Sequence, residues 1–140
     1  MNLENVVADA NVLLSAVVGK AALRVFTEFD VTVHVTHFNA AEVAEYLPQM
    51  ARQYDLQPEL VEMQWTILPV RLHDEREYRR SFKRSLADLA DRDPGDEHSL
   101  ALARHLKIPL WSNDRDLAGF DVECYSTARL LAILSTRAGS

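Results

Sequence analysis

Cysteine is almost absent. Cys124 stands alone among 140 residues, which excludes an intrachain disulfide and fits a reducing, cytoplasmic setting. Its surroundings, DVECY, alternate apolar and polar, so Cys124 is expected as a buried strand residue and not a nucleophile. Long apolar runs are missing as well. With no stretch of about 18 apolar residues, no transmembrane helix is expected. The opening MNLENVVADA lacks the basic-then-apolar order of a secretory signal. There is no repeat, low-complexity tract or linker. Positive charge is in deficit: the net charge is −6, which argues against binding nucleic acid through bulk charge. Local basic patches matter more than the total, because acidic metal ligands inflate the negative count and a bound divalent cation reverses the local sign. What the chain does have is apolar content, 48% of residues. That is enough to exclude disorder and to build one core in a single domain.

Strand-like and helix-like segments alternate along the chain. Asn5–Ala8 reads as a short buried strand, with a helix over Asn11–Val18 and further helix over Ala21–Phe29. The β-branched VTVHV at Val31–Val35 reads as a strand. Asn39–Tyr54 places Val43, Leu47, Met50 and Tyr54 on one helical face. Pro58 opens a helix to about Trp65, and Thr66–Val70 reads as a strand. Asp74–Asp91 is a long amphipathic helix with Tyr78, Phe82, Leu86 and Leu89 as its stripe. Pro94 opens a helix carrying Leu100, Ala103 and Leu106. Ile108–Trp111 and Val122–Tyr125 follow as strands, and Thr127–Leu134 as a final helix before a frayed TRAGS tail. This alternation predicts an α/β fold with a parallel sheet and helices on both faces. Ligands of such sheets bind beyond the carboxyl ends of the strands, where Asp9 and Asp114 are both expected.

Four acids stand at the edges of apolar segments: Asp9 in VVADANVLLSA, Glu42 in HFNAAEVAEYL, Asp96 in RDPGDEHSLALA and Asp114 in PLWSNDRDL. Each has an ordinary structural explanation. Asp9 suits a helix N-cap. Asn39 to Glu42 has the spacing of a capping box, with Glu45 as a rival acid. Asp93 suits a cap before Pro94 and so leaves Asp96 and Glu97 without capping duty. Asp114 or Asp116 suits a turn. Those explanations leave the strand–acid–helix arrangement at both Asp9 and Asp114 unaccounted for. A fold that gathers the four acids in one crevice would hold a hard divalent cation such as Mg2+ or Mn2+, because clustered carboxylates cannot all stay ionised without one.

Taken in order, ADANVLLSA, NAAEVAEYL, RDPGDEHSLALA and IPLWSNDRDL resemble the PIN-domain family of metal-dependent ribonucleases, over nearly the whole chain. The nearest likeness is the branch whose last motif is a strand followed by W-S/T-N-D. The resemblance implies a three-layer α/β/α sandwich with a central parallel, Rossmann-like sheet, one domain over residues 1–136 and a short tail at 137–140. It implies Asp9, Glu42, Asp96 and Asp114 as metal-binding and catalytic acids, with Asp116 as a helper. Ser112 would steady the site, and Asn11 would hydrogen-bond the acids. Many relatives are toxins of VapBC-type toxin–antitoxin pairs and many form homodimers, so RNA, an antitoxin protein and a second copy are the implied partners, with no membrane.

The implied chemistry is Mg2+- or Mn2+-dependent hydrolysis of RNA phosphodiesters, which needs no side-chain nucleophile. The five histidines are dispersed, and His98 is expected to pack and not to bind metal. Arg76, Arg79, Arg80, Lys83 and Arg84 fall on one helical face. That face is either solvated and paired with Asp74, Glu75 and Glu77, or a phosphate-contacting stripe. Two alternatives compete. A haloacid-dehalogenase-like phosphatase needs a second Asp where Asn11 stands. A noncatalytic PIN-like module would bind RNA or a partner without cleaving it.

Overall fold

The computed structural model describes residues 3–88, 94–114, 117 and 119–138. Among them five strands, β1 (Asn5–Ala8), β2 (Thr32–Thr36), β3 (Val70–His73), β4 (Leu110–Trp111) and β5 (Cys124–Tyr125), form one sheet in the order β3-β2-β1-β4-β5. Every pairing in it is parallel. The helices of the described residues are α1 (Ala10–Val17), α2 (Leu23–Thr27), α3 (His37–Gln53), α4 (Pro58–Ile67), α5 (Glu75–Asp88), α6 (Pro94–Leu106) and α7 (Thr127–Ala138). Among the described residues no helix is long and apolar enough to cross a membrane.

The sheet is covered on both sides, so its strands are apolar almost throughout. Strand alternation sorts them into two cores. Val6, Ala8, Val33, Val35, Trp111 and Tyr125 face the larger core, with Leu13 of α1, Val43 of α3, Val61 of α4 and Leu130 of α7. Val7 and Leu110 face the smaller one, with Tyr78 of α5 and Leu100 to Ala103 of α6. This is the expected three-layer α/β/α sandwich. The short stretch VVA can be a strand because neither side chain direction meets water.

Several boundaries differ from the sequence reading, each for a local reason. The third strand is Val70–His73, not Thr66–Val70: Thr66 and Ile67 finish α4, where the Thr66 hydroxyl donates to the Glu62 carbonyl. The helix expected from Asn39 begins at His37, capped by Thr36, whose side chain accepts from the Asn39 N–H. The expected helix over Ala21–Phe29 is helical only at Leu23–Thr27. The long helix over Asp74–Asp91 is Glu75–Asp88 where described, and Tyr78 departs from helical angles (φ −115°, ψ 18°), so it is kinked. Leu89 and Asp91 lie outside the described residues. The last helix extends to Ala138, past the expected Leu134.

The histidines are not all dispersed. On the α5 side of the sheet His34 is buried, with Nε2 against Asn5 Oδ1 and Nδ1 against His73 Nε2, both at 2.8 Å. His73 Nδ1 lies 2.5 Å from Glu77 Oε2. Burial, with the neighbouring charges of His73 and Arg71, pushes the His34 pKa down to about 4, so its ring is neutral at physiological pH. His34 therefore belongs to a satisfied buried network across three strands and is left with no free nitrogen.

Leu100 is fully buried at the centre of the smaller core. Leu100→Ala should cost about 2–5 kcal/mol of unfolding free energy, read as a lower urea midpoint at unchanged slope. A cost well under 1 kcal/mol would show that α6 is not packed as described.

Candidate metal centre

Chain order places a crevice at the carboxyl edge of the sheet. From β1 the chain moves outward through β2 and β3, then returns to the other side of β1 as β4. The loops leaving β1 and β4 therefore diverge and leave space between them. Asp9 leaves β1 there, and Ser112, Asn113 and Asp114 leave β4.

Asp9 is 4% exposed. It caps α1, its Oδ1 accepting from the Val12 N–H at 3.0 Å. Its Oδ2 accepts from the Ser112 hydroxyl in a short hydrogen bond, and Ser112 Oγ in turn accepts from the Asp114 N–H at 3.0 Å. The capping explanation and the gathering of acids therefore both describe Asp9. Burial raises its pKa above the ordinary carboxylate value. The hydrogen bonds from Ser112 and Val12 oppose that rise, and the Asp114 charge adds to it.

Three of the four predicted acids line one cavity of about 290 Å3: Asp9, Glu42 and Asp96, with Asn11 and Asn39 beside them. Glu42 comes from α3. The expected capping box is absent, since Thr36 is the cap. Asn39 sits inside the helix instead, its Nδ2 donating to Glu42 Oε1 at 2.8 Å while its Oδ1 accepts from the Thr36 hydroxyl at 2.7 Å. Asp96 lies in the first turn of α6. Its neighbour Glu97 is buried but does not line the cavity. Glu45 is exposed on α3. Asp114 does not line the cavity. It stands close enough for its charge to act on Asp9 and on Cys124. Asn11 lines the cavity and bonds Asp9 through its backbone. Asp93 and Asp116 lie outside the described residues.

The acids share a cavity without forming a finished cage. Among the described residues no three His, Cys, Asp or Glu side chains stand together at metal-binding geometry. An all-oxygen set with one deeply buried carboxylate still fits a hard divalent ion. Mg2+ keeps several of its waters and needs only one or two direct carboxylates. His98 is accounted for without metal: its Nδ1 meets the Tyr78 hydroxyl at 2.7 Å and its ring stacks on Phe38 at 4.2 Å. Cys124 is half-buried, and burial pushes its thiol up to about 11, which leaves no thiolate for chemistry at neutral pH.

The sequence reading missed the Thr36–Asn39–Glu42 chain, although its i, i+3 spacing was visible. Tyr46, one turn after Glu42 and lining the same cavity, carried no sequence signal beyond its position.

Because burial holds the Asp9 pKa above its unfolded value, the metal-free fold is favoured in acid and should lose stability as pH rises through the raised pKa. Asp9→Asn keeps the cap and can serve Ser112 without ionising. In chelator it should melt above the wild type at neutral pH, and the gap should close in acid. Equal melting curves from acid to neutral pH would show that burying Asp9 has no cost.

Comparison with known proteins agrees with this architecture. The PIN domain family model matches residues 7–135. No curated protein matches the sequence. Among solved structures, PAE2754 from Pyrobaculum aerophilum superposes with a TM-score of 0.70 at 14% identity, over 96% of each chain. A toxin–antitoxin complex from Klebsiella pneumoniae gives a TM-score of 0.63 at 15% identity, over 87% of this chain and 97% of its own. At those identities the likeness is one of fold, and the family match covers nearly the whole chain, so this chain belongs to the PIN domain family, whose members are generally nucleases.

Proposed function

We propose that this protein is a Mg2+- or Mn2+-dependent endoribonuclease, and that it is the toxin of a VapBC-type toxin–antitoxin pair. The observation that carries the reading is the meeting of Asp9, Glu42 and Asp96, from three separate segments, on one cavity with Asp9 buried. Asp9, Glu42 and Asp96 would hold the ion, with Asp114 completing the negative field from the β4 loop. The bound ion would activate water and offset charge on the phosphate during hydrolysis.

The chain's own residues prepare that chemistry. The Ser112 hydroxyl and the Val12 N–H fix the Asp9 carboxylate on both oxygens. Asn39 fixes one oxygen of Glu42, whose side chain lines the cavity. The alternative is a noncatalytic PIN-like module that binds RNA or a partner. The two differ in whether RNA is cut when the acids are intact.

Holding RNA needs positive charge outside the acids. Arg76 pairs with Asp74 and Arg84 with Asp121. Arg79, Arg80 and Lys83 have no ion pair among the described residues, and with Arg76, His105 and one acid, Glu77, they line a groove along α5 and α6. Three uncompensated cations on an acidic protein favour the phosphate-contacting reading of this face over the solvated one. For a protein partner, whether antitoxin or second copy, α4 exposes Leu60, Met63 and Ile67, and the edge strand β3 exposes Leu72. An apolar face of this kind marks contact surfaces.

Asp96→Ala should keep its circular dichroism spectrum and lose Mn2+-dependent cleavage of single-stranded RNA. The loss should be on the order of a hundredfold or more, given that residues merely supporting a ligand are worth roughly 10- to 100-fold. Cleavage at the wild-type rate would remove the mechanism.

Reversing Arg79, Arg80 and Lys83 to Glu should weaken RNA binding. It should also flatten the plot of log affinity against log salt, by about 0.7 for each phosphate that is no longer neutralised. An unchanged slope would return this face to solvent.

A further inference from the structure

Part of the lining of the acid cavity is not acidic. On α3 the buried stripe runs Asn39, Val43, Leu47, Ala51. A neighbouring stripe, Glu42, Tyr46, Gln49, Met50, faces the cavity instead. Tyr46 therefore does not belong to the core, and it is 45% exposed. Among the described residues its hydroxyl has no hydrogen-bond partner and its ring no aromatic or cationic neighbour. A large aromatic ring left open one helical turn from Glu42 is a surface without a protein partner.

We propose that Tyr46 is the platform of a nucleobase subsite. The unpaired base of a nucleotide flanking the cleaved bond stacks on the Tyr46 ring, while its phosphate faces Asp9, Glu42 and Asp96. This inference rests on the ribonuclease reading and specifies how the substrate is seated. The lining combines the two parts a nucleotide needs: carboxylates able to hold a cation for the phosphate, and an open π face. Every base offers a matching face, so stacking on Tyr tolerates many sequences. The Gln49 amide carries both a donor and an acceptor for a base edge. Met50 and the buried Leu14 supply an apolar floor. A volume of about 290 Å3 is at the low end for small-ligand sites and suits one base turned out of a strand. Carboxylates alone would repel the phosphate, so base and cation should bind together.

The test uses the intact chain and a single-stranded oligoribonucleotide whose cleavage position has been mapped in Mn2+. Tyr46→Ala should raise KM on the order of tenfold, the range expected for one lost base stack, and Tyr46→Phe should recover the affinity. An oligonucleotide made abasic next to the mapped bond should be a poor substrate for the wild type, and on it Tyr46→Ala should add no further loss. That convergence separates stacking from a structural defect, which would penalise both oligonucleotides alike. The thermal midpoint and Mn2+ affinity of Tyr46→Ala should match the wild type. If the wild type binds Mn2+ but cuts nothing, the ribonuclease reading fails, and fluorescence anisotropy of wild type and Tyr46→Ala with a single-stranded oligoribonucleotide and its fully abasic counterpart still reads the subsite. Equal affinity of wild type and Tyr46→Ala for the intact oligonucleotide overturns the subsite, as does an equal loss on intact and abasic RNA.

Discussion

A carboxylate held out of water at the end of the central strand is the constraint on which the rest of this structure turns. Removing an anion from water is costly unless hydrogen bonds or a cation compensate. Asp9 receives such bonds from the first turn of its own helix, at Asn11 and Val12, and from Ser112 on the loop after β4. These bonds tie β1, α1 and β4 together where the strand order reverses, so the crevice is held open by the same contacts that hold its principal acid. Asp114, bonded through its backbone to Ser112, is drawn close enough to make ionisation of Asp9 harder still. A protein tuned only for stability would have little reason to keep both acids there.

The opposite side of the crevice is braced as firmly. Thr36 caps α3 and orients Asn39, which holds Glu42. Thr36 also bonds the Tyr78 hydroxyl, and Tyr78 meets His98 two residues beyond Asp96. Polar contacts therefore run from Glu42 on α3 through β2 and α5 to α6. Such networks specify one arrangement of groups that would otherwise repel. They also place the kinked start of α5, and with it the first cations of the basic groove, beside the helix that carries Asp96.

Much of this was legible in the chain. VVA reads as a strand because it is a short unbroken apolar run, and VTVHV because its β-branched residues alternate with others, and the carboxyl-end rule then locates Asp9 and Asp114 without any contact information. Pro58 and Pro94 marked helix starts correctly. Thr66 and Ile67 misled because β-branched residues also finish amphipathic helices, and only packing decides between the two. Asn39 misled because Asn-x-x-Glu occurs both as a cap and inside a helix. The deciding residue, Thr36, looked like the end of a strand. His34 and His73 are 39 positions apart, and only strand register brings them together. Asp114 shows the remaining limit: its position beyond β4 followed from sequence, but whether its side chain enters the cavity depends on a loop whose path local preferences do not set.

The central claim is that acids from distant segments meet to capture a divalent cation. Diffraction from crystals soaked in Mn2+, with data collected at the manganese edge, tests it most directly. The account predicts one or two anomalous peaks in the cavity bounded by Asp9, Glu42 and Asp96. A cavity without anomalous signal at saturating Mn2+, or manganese bound only elsewhere on the surface, would contradict it.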